Sequence, residues 1–110
     1  MLKKAHKLSR TQFTEYFRIG KRHHFEHLTI IHSPAKTFLC TVVVGKKVAK
    51  SAVKRNTIKR RVFARLFLIQ KEYTPTGVFI IIIKPSFHSL SRAAADEFFH
   101  KSIAGLLQSA

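Results

Sequence analysis

An α+β fold, arranged as a two-layer α-β sandwich in the order α-β-β-β-α-β-α, is what this 110-residue sequence predicts. Three observations lead there. A capping signal opens a short amphipathic helix near the N-terminus. Spans rich in Thr, Val and Ile follow it, and one more lies far downstream. Between them runs an apolar stripe at helical spacing. The length suits one domain, residues 1–110, and 45% hydrophobic residues with ten Phe and two Tyr are enough to bury a core.

The elements follow in order. Ser9 and Gln12 have capping-box spacing, Leu8 and Phe13 occupy the positions of a hydrophobic staple, and Gly20 is placed to end a helix over 10–19. Residues 24–32 and 38–45 read as strands, joined through Ser33-Pro34-Ala35-Lys36. Gly45-Lys46-Lys47 starts a basic loop. From Ser51 the pattern is helical: Ile58, Val62, Leu66 and Ile69 form one core-facing stripe, and Thr74-Pro75-Thr76-Gly77 closes the segment. The run from Val78 to Ile83 is apolar at every position, as in a strand covered on both faces. Lys84-Pro85 breaks it, and a last helix covers 90–107 with Ser89 or Ser91 as its cap.

Charge is distributed unevenly over this frame. The chain carries 21 Lys and Arg against five Asp and Glu, a formal net charge of +16. Residues 1–71 hold 18 of those cations and only Glu15 and Glu26, whereas residues 72–110 balance three cations with three acids. Between Glu26 and Glu72 no acid interrupts. A generic surface intersperses both signs, so an anionic partner is expected for the first two-thirds.

The excess concentrates at the start of the second helix. Lys54, Thr57, Arg61 and Arg65 lie opposite the apolar stripe, while Arg55, Asn56, Lys59 and Arg60 spread over the remaining side. A helix start that is cationic nearly all round should project past the core, since burial would strand charges. Arg forks suit phosphate oxygens, free amides at a helix start do the same, and Asn can read a base or ribose edge. The bland reading is a solvated basic face. Six cations within 54–65 without a neighbouring acid favour RNA or DNA instead.

Lys46-Lys47 followed by Ala52-Val53-Lys54-Arg55-Asn56-Thr57-Ile58-Lys59-Arg60-Arg61 closely resembles the signature of the bacterial ribonuclease P protein subunit. The resemblance extends over nearly the whole chain: 8–20 is similar to the family's first helix, with Phe13 and Phe17 as its Phe-x-x-x-Phe pair, and Ile83-Lys84-Pro85 to its last strand end. Thr57 departs from the pattern, standing where a second arginine is common. The resemblance implies a left-handed β-α-β crossover through the signature helix, against the general right-handed rule. It also implies a catalytic RNA subunit as partner, precursor tRNA as substrate, and removal of the 5′ leader by hydrolysis of one phosphodiester. The RNA and its Mg²⁺ would perform the chemistry, leaving no catalytic residue and no metal in the protein. On that reading Lys46, Lys47, Lys54, Arg55, Asn56, Lys59, Arg60 and Arg61 face the catalytic RNA, with Lys3, Lys4 and Lys7 extending the surface. Phe13 and Phe17 line a leader cleft between the first helix and the sheet.

Physics supports the cleft separately, because rings one helical turn apart share a face and aromatic faces stack bases without reading sequence. The competing reading makes both rings ordinary core, with partial exposure as the deciding observation. In strand geometry Phe25, His27, Thr29 and Ile31 would share one face, and His27 and Thr29 could line the same cleft.

His23, His24, His27 and His32 fall within ten residues, yet strand geometry spreads them and only Glu26 lies near enough to help, so no zinc site is expected. A protein-only nuclease would need clustered carboxylates or a His pair with Lys, and five scattered acids argue against the metal version. A ribosomal or RNA-chaperone protein accounts for charge and core but not for the ordered block from Lys46 to Arg61. The lone Cys40, the absence of a visible signal peptide and an apolar run too short to span a membrane suggest a cytoplasmic protein with no membrane partner; no obligate protein partner is expected.

Overall fold

The structure, a computed structural model, describes residues 7–109. In chain order it contains α1 (Arg10–Ile19), β1 (Lys21–His24), β2 (Leu28–Ser33), β3 (Phe38–Val44), α2 (Ala52–Tyr73), β4 (Gly77–Ile83), a short 3-10 helix (Pro85–Ser89) and α3 (Arg92–Ser109). The predicted α-β-β-β-α-β-α order is present. The strands form one mixed sheet in the order β1-β2-β4-β3, with β4 antiparallel to β2 and parallel to β3. The β3-α2-β4 unit is thus a crossover between adjacent parallel strands.

Local chemistry accounts for the helix ends. Ser9 Oγ accepts from the Gln12 amide at 3.2 Å while Gln12 Oε1 accepts from the Ser9 amide at 2.9 Å, the reciprocal capping box that starts α1. Gly20 ends it by close approach: a Cβ there would run into Ile31 Cγ2 and stand 2.7 Å from the Tyr16 carbonyl oxygen. Ser51 caps α2, and Thr74 closes it in the left-handed conformation at φ 43°. Gly77 has φ 111°, and a side chain there would also meet the His32 ring.

The sheet is sealed on one face. Leu28 and Ile30 of β2, Phe79, Ile81 and Ile83 of β4, and Cys40 and Val42 of β3 pack against Ile58, Val62, Leu66 and Ile69 of α2 and Phe99 and Ile103 of α3. The four α2 residues are those of the predicted stripe, and they are the buried residues of that helix. Each such side chain contributes roughly 1.5–3 kcal/mol when fully withdrawn from water. On the other face α1 rests on β2 and β4, placing Leu8, Phe13 and Tyr16 over Ile31, Val78 and Ile80. That explains why β4 is buried at every position except the half-buried Ile82.

Two expectations change, and the sheet order adds a feature that the sequence reading left open. The 24–32 span is not one strand: the chain turns at 25–27, closed by the Phe25 amide donating to the Leu28 carbonyl at 2.8 Å. Aromatic and histidine side chains continue through this turn, so composition does not mark it. Next, β2 and β3 are joined by a short connection but are not neighbours, because β4 enters between them. Finally, Ser91 rather than Ser89 caps the last helix, its Oγ accepting from the Ala94 amide at 3.2 Å, and the helix starts at Arg92 because the 3-10 helix takes up 85–89. Among the described residues no helix is long and apolar enough to cross a membrane.

Candidate nucleic-acid interface

Two surfaces carry the residues singled out in the sequence, and they lie on different parts of the sheet. The first is the β3–α2 junction. Lys46 and Lys47 stand exposed in the turn after β3, and α2 begins five residues later. The first buried side chain of α2 is Ile58, so its opening turn and a half lies beyond the core. Lys54, Asn56, Arg60 and Arg61 are exposed; Arg55 and Lys59 are half-buried. The eight predicted positions thus fall in the loop after β3 and on the first half of α2. Lys50, which the sequence reading passed over, is exposed in the same loop.

Three of the five acids form ion pairs, and all three do so elsewhere. Asp96 takes Arg65 at 2.6 Å across α2 and α3, Glu97 pairs with Lys101 on α3 at 2.9 Å, and Glu26 lies 3.1 Å from His27. Among the described residues no carboxylate pairs with any cation from Lys46 to Arg61. Positive charge there is unrelieved by the protein itself.

Two side chains of the signature are already committed. Arg55 Nη1 donates to the carbonyls of Ala49 at 2.9 Å and Lys50 at 2.8 Å. The guanidinium thus clasps the loop that carries Lys46, Lys47 and Lys50, leaving its other edge for an anion. Val48 and Ala49 are buried beneath it, which fixes the loop from the other side. Thr57 Oγ1 donates to the Val53 carbonyl at 2.9 Å, so its hydroxyl proton is used within the helix. A residue standing in an arginine's place here donates nothing outward.

The second surface is the face of the sheet under α1. Phe13 and Phe17 sit with ring centroids 5.5 Å apart and planes inclined at 34°. Phe13 is half-buried against the sheet, but Phe17 is 38% exposed, and the Arg22 guanidinium of β1 lies 4.9 Å from its centroid. Partial exposure separates Phe17 from an ordinary core ring. On the same face of the sheet Thr29 is buried, sharing a 3.2 Å hydrogen bond between its Oγ1 and His24 Nδ1. Towards β3 the floor is incompletely covered: Leu39, Thr41 and Val43 alternate on this face, half-buried beside Ile82.

His27 does not join this surface, and neither does Phe25. The turn at 25–27 resets the alternation, so Phe25 packs into the sealed core while His27 lies edge-on to Phe98 of α3 at 4.8 Å. Its Nδ1 lies 2.8 Å from Ser86 Oγ and its Nε2 faces Glu26, so it ties the β1–β2 turn to the 3-10 helix. Of the predicted four, Phe13 and Phe17 pair with each other, Thr29 lies on the same face of the sheet beside Ile82, and His27 points elsewhere. Lys3 and Lys4 lie outside the described residues; Lys7 is described, forming a parallel bridge with Cys40 on the outer edge of β3.

The remaining chemistry is sparse. Among the described residues no three His, Cys, Asp or Glu side chains are grouped to hold a metal ion, and Asp96 already serves Arg65. Burial pushes the Cys40 thiol up to about 12, which keeps it protonated and unreactive. Burial, then the charges of Lys21 and His32, lowers the pKa of His23.

Comparison with known proteins agrees with this geometry. A chain from Staphylococcus aureus, a ribonuclease P protein mutant with defective mRNA degradation activity, superposes with a TM-score of 0.81 at 20% identity, covering 93% of this chain and 90% of that one. The ribonuclease P protein from Thermotoga maritima superposes with a TM-score of 0.75 at 21% identity, covering 94% and 96%. These likenesses speak for the fold. No curated protein matches in sequence. The family model for ribonuclease P, however, matches residues 1–107, nearly the whole chain, and does not favour a ribosomal or chaperone reading. The chain belongs to the ribonuclease P protein family.

Proposed function

We propose that this protein pairs with a catalytic RNA and helps it remove the 5′ leader of precursor tRNA, with the phosphodiester chemistry left to the RNA and its Mg²⁺. The acid-free cationic end formed by the β3–α2 loop and the first turns of α2 carries this reading. Lys46, Lys47, Lys54, Lys59, Arg60 and Arg61 contact phosphates of the catalytic RNA there. Arg55 does so while holding the loop, and Asn56 contributes a neutral edge. Phe13 and Phe17, with Thr29 on the same face of the sheet, take the single-stranded leader by stacking, which tolerates any leader sequence. Arg22 and His24 add polar groups to that cleft. His27 is assigned to neither surface. A cytoplasmic place of action goes with this reading.

Reconstitution tests it. Added to a bacterial ribonuclease P RNA at low Mg²⁺, the protein should stimulate 5′ cleavage of precursor tRNA; absence of stimulation counts against the proposal. Protein alone should leave the substrate intact.

A further inference from the structure

Beside the cationic end of α2 lies a groove whose lining is more than charge. Val53, Asn56, Lys59, Arg60 and Phe63 come from one side of α2, where residues three, four and seven apart line up, and Lys7 closes it from the edge of β3. The groove measures about 490 Å³, within the size range of sites that take small organic ligands. Phe63 stands at its inner end, half-buried against the core, with the Lys7 ammonium 5.2 Å from its centroid. One ring face is therefore met by a side-chain cation at the groove rather than by core packing. Val53 at the mouth is 73% exposed, an unusual position for an aliphatic side chain. Among the described residues the Asn56 amide has no hydrogen-bond partner, and Lys59 and Arg60 have no acid.

Phosphate binding alone calls for the cations and leaves the other three residues idle. A ring face, an exposed aliphatic edge and an unsatisfied amide match the flat surface and polar edge of a nucleobase. We propose that this groove receives one unstacked nucleotide of the catalytic RNA. Its base lies on Phe63 and against Val53, the Asn56 amide meets its edge, and Lys59 and Arg60 hold the adjoining phosphates. Lys7 occupies the ring face until the base displaces it towards a phosphate. The assignment rests on the ribonuclease P reading but adds a contact that depends on a base rather than on charge.

The test uses the full chain and two probes. Single-stranded hexaadenylate should shift the side-chain amide resonances of Asn56, whereas a hexamer of the same backbone without bases should leave them in place. In parallel, affinity for a bacterial ribonuclease P RNA is measured across a salt series. Phe63→Leu and Asn56→Ala should each weaken it, Phe63→Leu by about 5- to 150-fold as for one lost base stack, without changing the slope of log affinity on log salt. Lys59→Ala should instead flatten that slope by roughly 0.7–0.9. An Asn56 amide that ignores the base-bearing hexamer, or answers both probes alike, overturns the groove assignment. So does wild-type affinity in both variants. Failure of the wild-type chain to bind the RNA overturns the ribonuclease P reading and this groove with it. Phe63 touches the core, so thermal melting is run on its variant; should it not fold, Asn56→Ala, which alters an exposed side chain, carries the test.

Discussion

The two faces of the sheet are built to different standards. Under α2 and α3 the packing is complete: Leu28, Ile30, Leu66 and Ile81 have no accessible surface. Under α1 the cover is partial, with Phe17 reaching into solvent and Leu39, Thr41, Val43 and Ile82 only half-buried. A ten-residue helix cannot cover four strands, and this one leaves a strip of apolar floor open. The closed face supplies stability. The open face keeps surface available for a partner, and the charge beside α2 does the same by lacking counter-ions.

Substitutions should separate the two. Leu66→Ala removes a fully buried side chain between α2 and the sheet and should destabilise the fold by about 2–5 kcal/mol, read by chemical denaturation. A loss below 1 kcal/mol would mean that the sealed face is not the stabilising one. Arg55→Ala should weaken binding to the RNA subunit by roughly 1–3 kcal/mol and speed hydrogen exchange in the loop at 45–51, while Lys54→Ala weakens binding without touching that loop. Equal exchange in both variants would remove the clasp. Phe17→Ala should weaken leader-bearing precursor by about 1–3 kcal/mol and mature tRNA little, with nearly unchanged stability. Equal losses for both substrates would remove the leader cleft. The smallest effect is protonic. His23 has a lowered pKa in the fold, so the unfolded chain binds its proton more readily, and this contribution to stability is lost as pH falls from about 6.5 through the folded value. His23→Gln should flatten the pH dependence of the melting temperature below neutrality.

What was legible in the sequence was local. The capping box of α1, its end at Gly20 and the stripe on α2 each depend on residues within a turn or two of one another, and each is present. The cationic end of α2 follows from that stripe, since the apolar side fixes where the charges point. Sheet order was not legible, because the entry of β4 between β2 and β3 is decided by contacts across more than 35 residues. The turn at 25–27 was hidden by β-like composition, and its effect was to turn His27 away from the cleft. The Arg55 clasp and the inward hydroxyl of Thr57 escaped for another reason: a helical wheel shows which side a residue occupies but not whether the neighbouring backbone has already taken its donor.

The place of β4 in the sheet has a consequence for how the molecule is made. A ribosome delivers the chain from its N-terminus, and β2 and β3 have no common partner until Ile83 has emerged. Before then only β1 and β2 can pair, and 18 of the 21 basic residues are already outside, on a chain that has yet to acquire its central strand. The four-stranded sheet cannot be complete before β4 arrives. The nascent protein is therefore a long polycation before it is a domain, and whatever RNA lies near the tunnel exit is the first polyanion it meets.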